Sequence, residues 1–160
     1  MQNHVLALAA LFGVVLTPMP GSAQRADLRR LVIGRWELNV PKSTFRPGPP
    51  PKSLTRVYEA SEENVKYTDI TVDAEGKAAV SEWTGSYDGK DYPVPGSPDV
   101  MQAVKASDPF RSTFTIKKAG KVVGTGTRVI SRDGKVMTIR LKLTDPKGQT
   151  FNNISVFERR

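Results

Sequence analysis

Cysteine is absent from the 160-residue chain, and the only histidine is His4. Without thiols no disulfide can staple the fold, and no thiolate can act as nucleophile or metal ligand. Without an imidazole beyond residue 4, Ser-His and Cys-His nucleophilic catalysis and the usual zinc, copper and haem ligand sets are excluded. The expectation is therefore a protein with no metal, no cofactor and no enzymatic activity. Asp69, Glu59 and Glu82 retain formal acid/base capacity, but no spacing marks a catalytic carboxylate pair. Lys42-Ser43 stands in a proline-rich run, not in the buried setting that lowers a lysine pKa. Gly124-Thr125-Gly126 lacks the third glycine and following helix of a dinucleotide fingerprint. The Asn153-Ile154-Ser155 sequon lies in an expected strand and is discounted.

Long apolar runs are also scarce. Val5 to Leu16 is the only one, about twelve residues, which is too short to span a bilayer and suits the apolar region of a signal peptide. Thr17-Pro18-Met19-Pro20 breaks it, and Gly21-Ser22-Ala23 supplies small residues for cleavage. The expected organisation is a signal peptide over 1–23, cut after Ala23, and a single domain over 24–160. It implies a periplasmic or secreted protein with no transmembrane segment after cleavage; an uncleaved anchor is the alternative. Every Lys, Arg, Asp and Glu lies beyond Gln24, so the mature domain carries the full formal charge of +8. The basic residues are spread over turns, there is no recognition helix, and nucleic acid is not expected as a partner.

The chain favours strands. Gly34-Arg35-Trp36-Glu37-Leu38-Asn39-Val40 alternates, with Trp36, Leu38 and Val40 on one face. It runs into a stretch, 41–53, whose five prolines remove backbone donors and are expected to keep it out of any sheet. Turn residues then recur at 61–64, 74–77, 88–90, 119–121, 133–135 and 145–148. Between them Thr, Val, Ile and aromatic residues predict strands at 34–40, 53–60, 64–73, 78–87, 99–106, 110–118, 121–131, 135–144 and 150–158. Residues 91–98 read as a long loop with at most a short edge strand at its start. Ahead of Trp36, residues 25–33 suit one or two helical turns packing across one end, with Leu28, Leu31 and Val32 together. A meander of about 8–10 antiparallel strands avoids exposed edges by closing, so the expected fold is all-β, an up-and-down barrel. A sandwich is the alternative.

Several strand faces mix aromatic and polar residues, as expected of a lumen that holds a ligand. The candidate lining is Arg56, Tyr58, Tyr67, Asp69, Trp83, Tyr87 and Arg128. Two arginines among tyrosines suit a carboxylate or phosphate head, with aromatics around an apolar body. Alternatively Arg56 pairs with Asp69 and the tyrosines are ordinary barrel residues. Gly124 and Gly126 are expected where two backbones approach closely.

Gly34-x-Trp36 after a short helical turn resembles the lipocalin (calycin) signature. The resemblance implies that Trp36 closes the barrel floor under an arginine, Arg159 or Arg140. The second lipocalin signature, around a Thr-Asp-Tyr, has no convincing counterpart. Gly34-x-Trp36-x-Leu38-Asn39, Lys42-Ser43-x-Phe45-x-Pro47-Gly48-Pro49, Pro51-Lys52-Ser53, Tyr87-Asp88-Gly89-Lys90-Asp91-Tyr92-Pro93 and Phe151-Asn152-Asn153 are similar to a family of small, secreted, uncharacterised bacterial proteins. That likeness covers nearly the whole chain beyond residue 23 and implies no activity. Three functional readings stand. The first is a lipocalin-like carrier of a small, largely apolar or amphipathic, acidic molecule. The second is an inhibitor-like module binding a protein or envelope polymer through 41–53 and its basic surface. The third is an enzyme using carboxylates and tyrosines alone.

Overall fold

The computed structural model describes residue 25 and residues 28–160, so the expected signal segment, 1–23, lies outside the described residues. The described residues form eleven strands: β1 (Gly34–Leu38), β2 (Thr44–Arg46), β3 (Ser53–Ser61), β4 (Asn64–Val72), β5 (Ala78–Gly85), β6 (Asp88–Val94), β7 (Ser97–Asp108), β8 (Arg111–Lys118), β9 (Lys121–Ile130), β10 (Val136–Thr144) and β11 (Thr150–Arg159). All pairings are antiparallel, in the order β5-β4-β3-β1-β11-β10-β9-β8-β7-β6. The order leads back to two consecutive strands, β5 and β6, so the meander is a nearly closed all-β barrel. Each expected strand is present, with ends shifted by a few residues.

Three local expectations are corrected. First, β1 stops at Leu38, because Asn39 caps a 3-10 turn, Val40–Lys42, accepting a hydrogen bond from the Lys42 amide at 3.1 Å. Second, the proline-rich stretch does enter the sheet: Thr44–Arg46 pairs with β11 at Asn152–Ile154, taking over the edge of β11 that β1 has left. The prolines themselves flank this strand, so no ladder donor is lost. Third, Asp88-Gly89-Lys90 is not a hairpin turn. It opens β6, which pairs with β7 through a reversal at Pro95–Gly96, so 91–98 is a hairpin and not a loop.

The interior divides along the barrel axis. At one end residues 28–32 are helical and bury Leu28 and Val32 against Trp36. The indole of Trp36 donates to the Val32 carbonyl at 2.8 Å. Arg159 lies over the indole, its guanidinium carbon 4.4 Å from the ring centroid. It donates to the carbonyls of Gly134 and Ile33, both at 2.7 Å, and to that of Leu31. The arginine over Trp36 is thus Arg159. Arg140 is on the outer surface, exposed. At the other boundary, Trp83 and Tyr92 meet edge to face across the gap between β5 and β6, 6.1 Å apart. Gly85 permits this: a Cβ there would stand 2.4 Å from the Trp83 ring and 2.8 Å from Tyr92.

Candidate functional site

Register sets the polar interior. In β3 and β4, Arg56 lies opposite Asp69 and Tyr58 opposite Tyr67, and Tyr67 in turn faces Trp83 of β5. With a period of two, all five point inward. Arg56 grips Asp69 with two bonds, Nε to Oδ1 at 2.6 Å and Nη2 to Oδ2 at 2.5 Å. This fork-on-fork geometry is the strongest form of arginine–carboxylate contact. Its guanidinium also stacks 4.3 Å from the Tyr67 centroid. Burial pulls the Arg56 pKa down, but Tyr58 and Asp69 outweigh it, so the group stays charged.

Across the barrel, Arg128 of β9 lies opposite Ser112 of β8 and Ile139 of β10. It is only 4% exposed, yet no carboxylate pairs with it among the described residues. Its Nη1 donates to the Tyr87 hydroxyl at 2.5 Å, and its guanidinium lies 5.0–5.2 Å from the Tyr87 and Tyr58 ring centroids. Its Nε has no partner, and neither has the buried hydroxyl of Ser112, its cross-strand neighbour. Burial pushes the Tyr87 hydroxyl up to about 12, against the pull of Arg128. Burial likewise raises Tyr67, whose hydroxyl contacts Gln102 Oε1 at 3.3 Å.

Between the two arginines is a cavity of about 190 Å³, lined by Arg56, Tyr67, Gln102, Phe114, Ile116, Arg128, Ile139 and Leu141. Gly126 stands behind the lining residue Phe114: a Cβ there would come within 2.2 Å of the Arg140 carbonyl and 2.3 Å of the Phe114 ring, so only glycine lets β9, β10 and that ring close up. Of the seven residues singled out in sequence, Arg56, Tyr67 and Arg128 line the cavity. Tyr58, Asp69, Trp83 and Tyr87 stand behind it, packed and buried, and hold the two arginines and Tyr67 in place. Ser112, Gln102, Phe114, Ile116, Ile139 and Leu141 were not anticipated. Their strands alternate clearly, but alternation alone does not say how high in the barrel a residue sits. Among the described residues, two guanidinium groups and one carboxylate leave this interior with one uncompensated positive charge. Among the described residues there is no cluster of acidic or histidine side chains suited to a metal, and no helix long and apolar enough to cross a membrane.

The chain matches no protein-family model and no curated protein sequence. It is similar in structure to a point mutant of the fluorescent protein UnaG (TM-score 0.56, 13% identity, over 82% of this chain and 97% of that one). It is also similar to As-p18, an extracellular fatty acid binding protein (TM-score 0.53, 12% identity, 83% and 99% covered). A third similar structure is Rv2717c from M. tuberculosis (TM-score 0.53, 14% identity, 89% and 98% covered). At this identity the likeness shows the fold alone, a nearly closed antiparallel β-barrel.

Proposed function

We propose that the protein is a carrier that holds a small amphipathic acid inside its barrel. The acid group meets Arg128 Nε and Ser112 Oγ, and the apolar part runs along Phe114, Ile116, Ile139 and Leu141. The observation that carries this reading is the buried Arg128 guanidinium, which has an unbonded Nε and no counter-ion among the described residues. Burying an unpaired charge costs several kcal/mol, and an incoming carboxylate would offset that cost. The Arg56–Asp69 pair is already neutral, so Arg128 is the anion site and Arg56 a wall.

The cavity, at about 190 Å³, is below the roughly 300–1,000 Å³ usual for drug-sized ligands, which favours a short acid over a long-chain one. A fatty acid binding protein among the structural neighbours supports the choice of class. Export rests on Val5–Leu16 and Gly21–Ala23, and bacterial origin on the motif likeness of 34–53 and 87–93. N-terminal sequencing of the protein recovered outside the cytoplasm, with Gln24 as the expected first residue, checks the former.

The test is titration of tryptophan fluorescence, since Trp83 stacks on the cavity-lining Tyr67 at 5.7 Å. Straight-chain carboxylic acids of graded length are compared with the matching primary alcohols. The acids should bind at least about tenfold more tightly than the alcohols, with the difference lost in Arg128→Gln. Equal binding of acid and alcohol, or unchanged acid binding in Arg128→Gln, would refute the assignment.

A further inference from the structure

The outer face of the barrel carries a second arrangement, unconnected with the lumen. Side chains of β8, β9, β10, β11 and β2 that point outward fall into two cross-strand rows. One row is Thr115, Thr125, Lys142, Asn152 and Arg46; the other is Thr113, Thr127, Arg140, Ile154 and Thr44. With strands about 4.8 Å apart, each row is on the order of 20 Å long. Neither row contains an acid. Arg46, Arg140 and Lys142 are exposed, and none is within salt-bridge distance of a carboxylate among the described residues. Other basic residues of the sheet do meet a carboxylate on the adjacent strand, as in Lys66–Glu82 and Lys118–Asp99. These three cations converge on one groove of about 560 Å³, floored by Gly126 and edged by Asn152, Asn153 and the threonines.

We infer that this groove binds an anionic glycan, a sugar chain bearing carboxylate or phosphate groups. Three uncompensated cations supply attraction to repeated negative charges. The Asn amides and Thr hydroxyls, which both donate and accept, match sugar hydroxyls between those charges. The two rows contain no aromatic side chain on which a base could stack, which disfavours single-stranded nucleic acid. They contain one aliphatic residue, Ile154, too little to insert into a lipid surface. Gathering Arg46 into the groove requires β2, so the short strand has a role beyond covering the edge of β11.

The experiment measures binding of the full chain to polygalacturonate by calorimetry, with dextran as the uncharged glycan. Anionic phospholipid vesicles and single-stranded DNA serve as competitors. Polygalacturonate should bind and dextran should not. Arg140→Gln with Lys142→Gln should weaken binding by about tenfold. Lys118→Gln with Lys121→Gln, an equal loss of charge elsewhere, should weaken it by less than about twofold. Unchanged near-ultraviolet circular dichroism shows that the variants are folded. Equal weakening in both double variants would reduce the effect to net charge and overturn the site. No binding to polygalacturonate, equal binding to dextran, or tighter binding to vesicles or DNA would overturn the class of ligand.

Discussion

Two arginines of the same barrel, Arg159 over the floor and Arg128 beside the cavity, make the most instructive comparison. Arg159 closes the floor: it donates to three backbone carbonyls and lies over Trp36. Arg128 faces the cavity and makes one bond to a tyrosine hydroxyl, leaving Nε unbonded beside an unbonded Ser112 hydroxyl. Arg56, beside the same cavity, is a third case, held by Asp69 through Nε and Nη2 and by the Tyr58 hydroxyl through Nη1. Burial alone sets Arg128, which is buried, against Arg56 and Arg159, which are half-buried. Counting their hydrogen bonds separates a floor residue and a neutral pair from a group left available to a ligand, because an unmet buried donor is costly unless something else serves it.

The comparison can be broken most severely at the neutral pair. Asp69→Asn leaves Arg56 without its charge partner, and the expected loss is about 3–5 kcal/mol in urea unfolding. The double variant Arg56→Met, Asp69→Leu should recover most of that loss, since an apolar pair can replace a buried ion pair. If the single variant is as stable as the parent, the pair is solvated and the interior charge count is wrong. Next comes the floor against the cavity. Arg159→Met strands the carbonyls of Leu31, Ile33 and Gly134 and uncovers Trp36, and should cost about 2–3 kcal/mol. Arg128→Met should cost no stability and should raise it by about 1–3 kcal/mol, because it removes a buried charge without a counter-ion and an unmet donor. Similar losses in the two variants would erase the distinction between them.

The smallest effect is spectroscopic. With its pKa raised from the usual 10 to about 12, the Tyr87 hydroxyl remains protonated in the folded barrel where an unfolded chain would already ionise. The stability it contributes is present below pH 10 and is lost as pH rises from about 10 to 12. Phenolate absorbance should therefore show Tyr87 ionising late, its signal disappearing in Tyr87→Phe. Ionisation of Tyr87 near pH 10 in the folded protein would show the Arg128 pocket to be wet.

Much of this was legible locally. Alternation in Phe110 to Lys117 and Met137 to Thr144 gave strands, because a period of two needs only neighbours to be read. The Gly and Asp turns at 119–121 and 133–135 did the same for the hairpins. Where local signals conflicted, reading failed. Prolines in 41–51 obscured Thr44–Arg46, whose pairing depends on the edge that β1 vacates. Asp88-Gly89-Lys90 has the composition of a turn, but the break between β5 and β6 falls at Ser86 and Tyr87, the latter buried against Arg128. The lining was half legible for the same reason: periodicity says which residues face inward, but not which of them touch the cavity.

Composition and period thus settled an all-β chain without thiol or imidazole chemistry beyond His4, an inward Trp36 and an interior of mixed polarity, since these depend on residue type and on its nearest neighbours alone. Register and closure decided the rest. They placed Asp69 opposite Arg56 and nothing acidic opposite Arg128. They also gathered Arg46, Arg140 and Lys142, up to 96 positions apart in the sequence, into one groove. Charges dispersed along a chain become a site only when hydrogen-bonded strands bring them to one face, and no local rule carries that information.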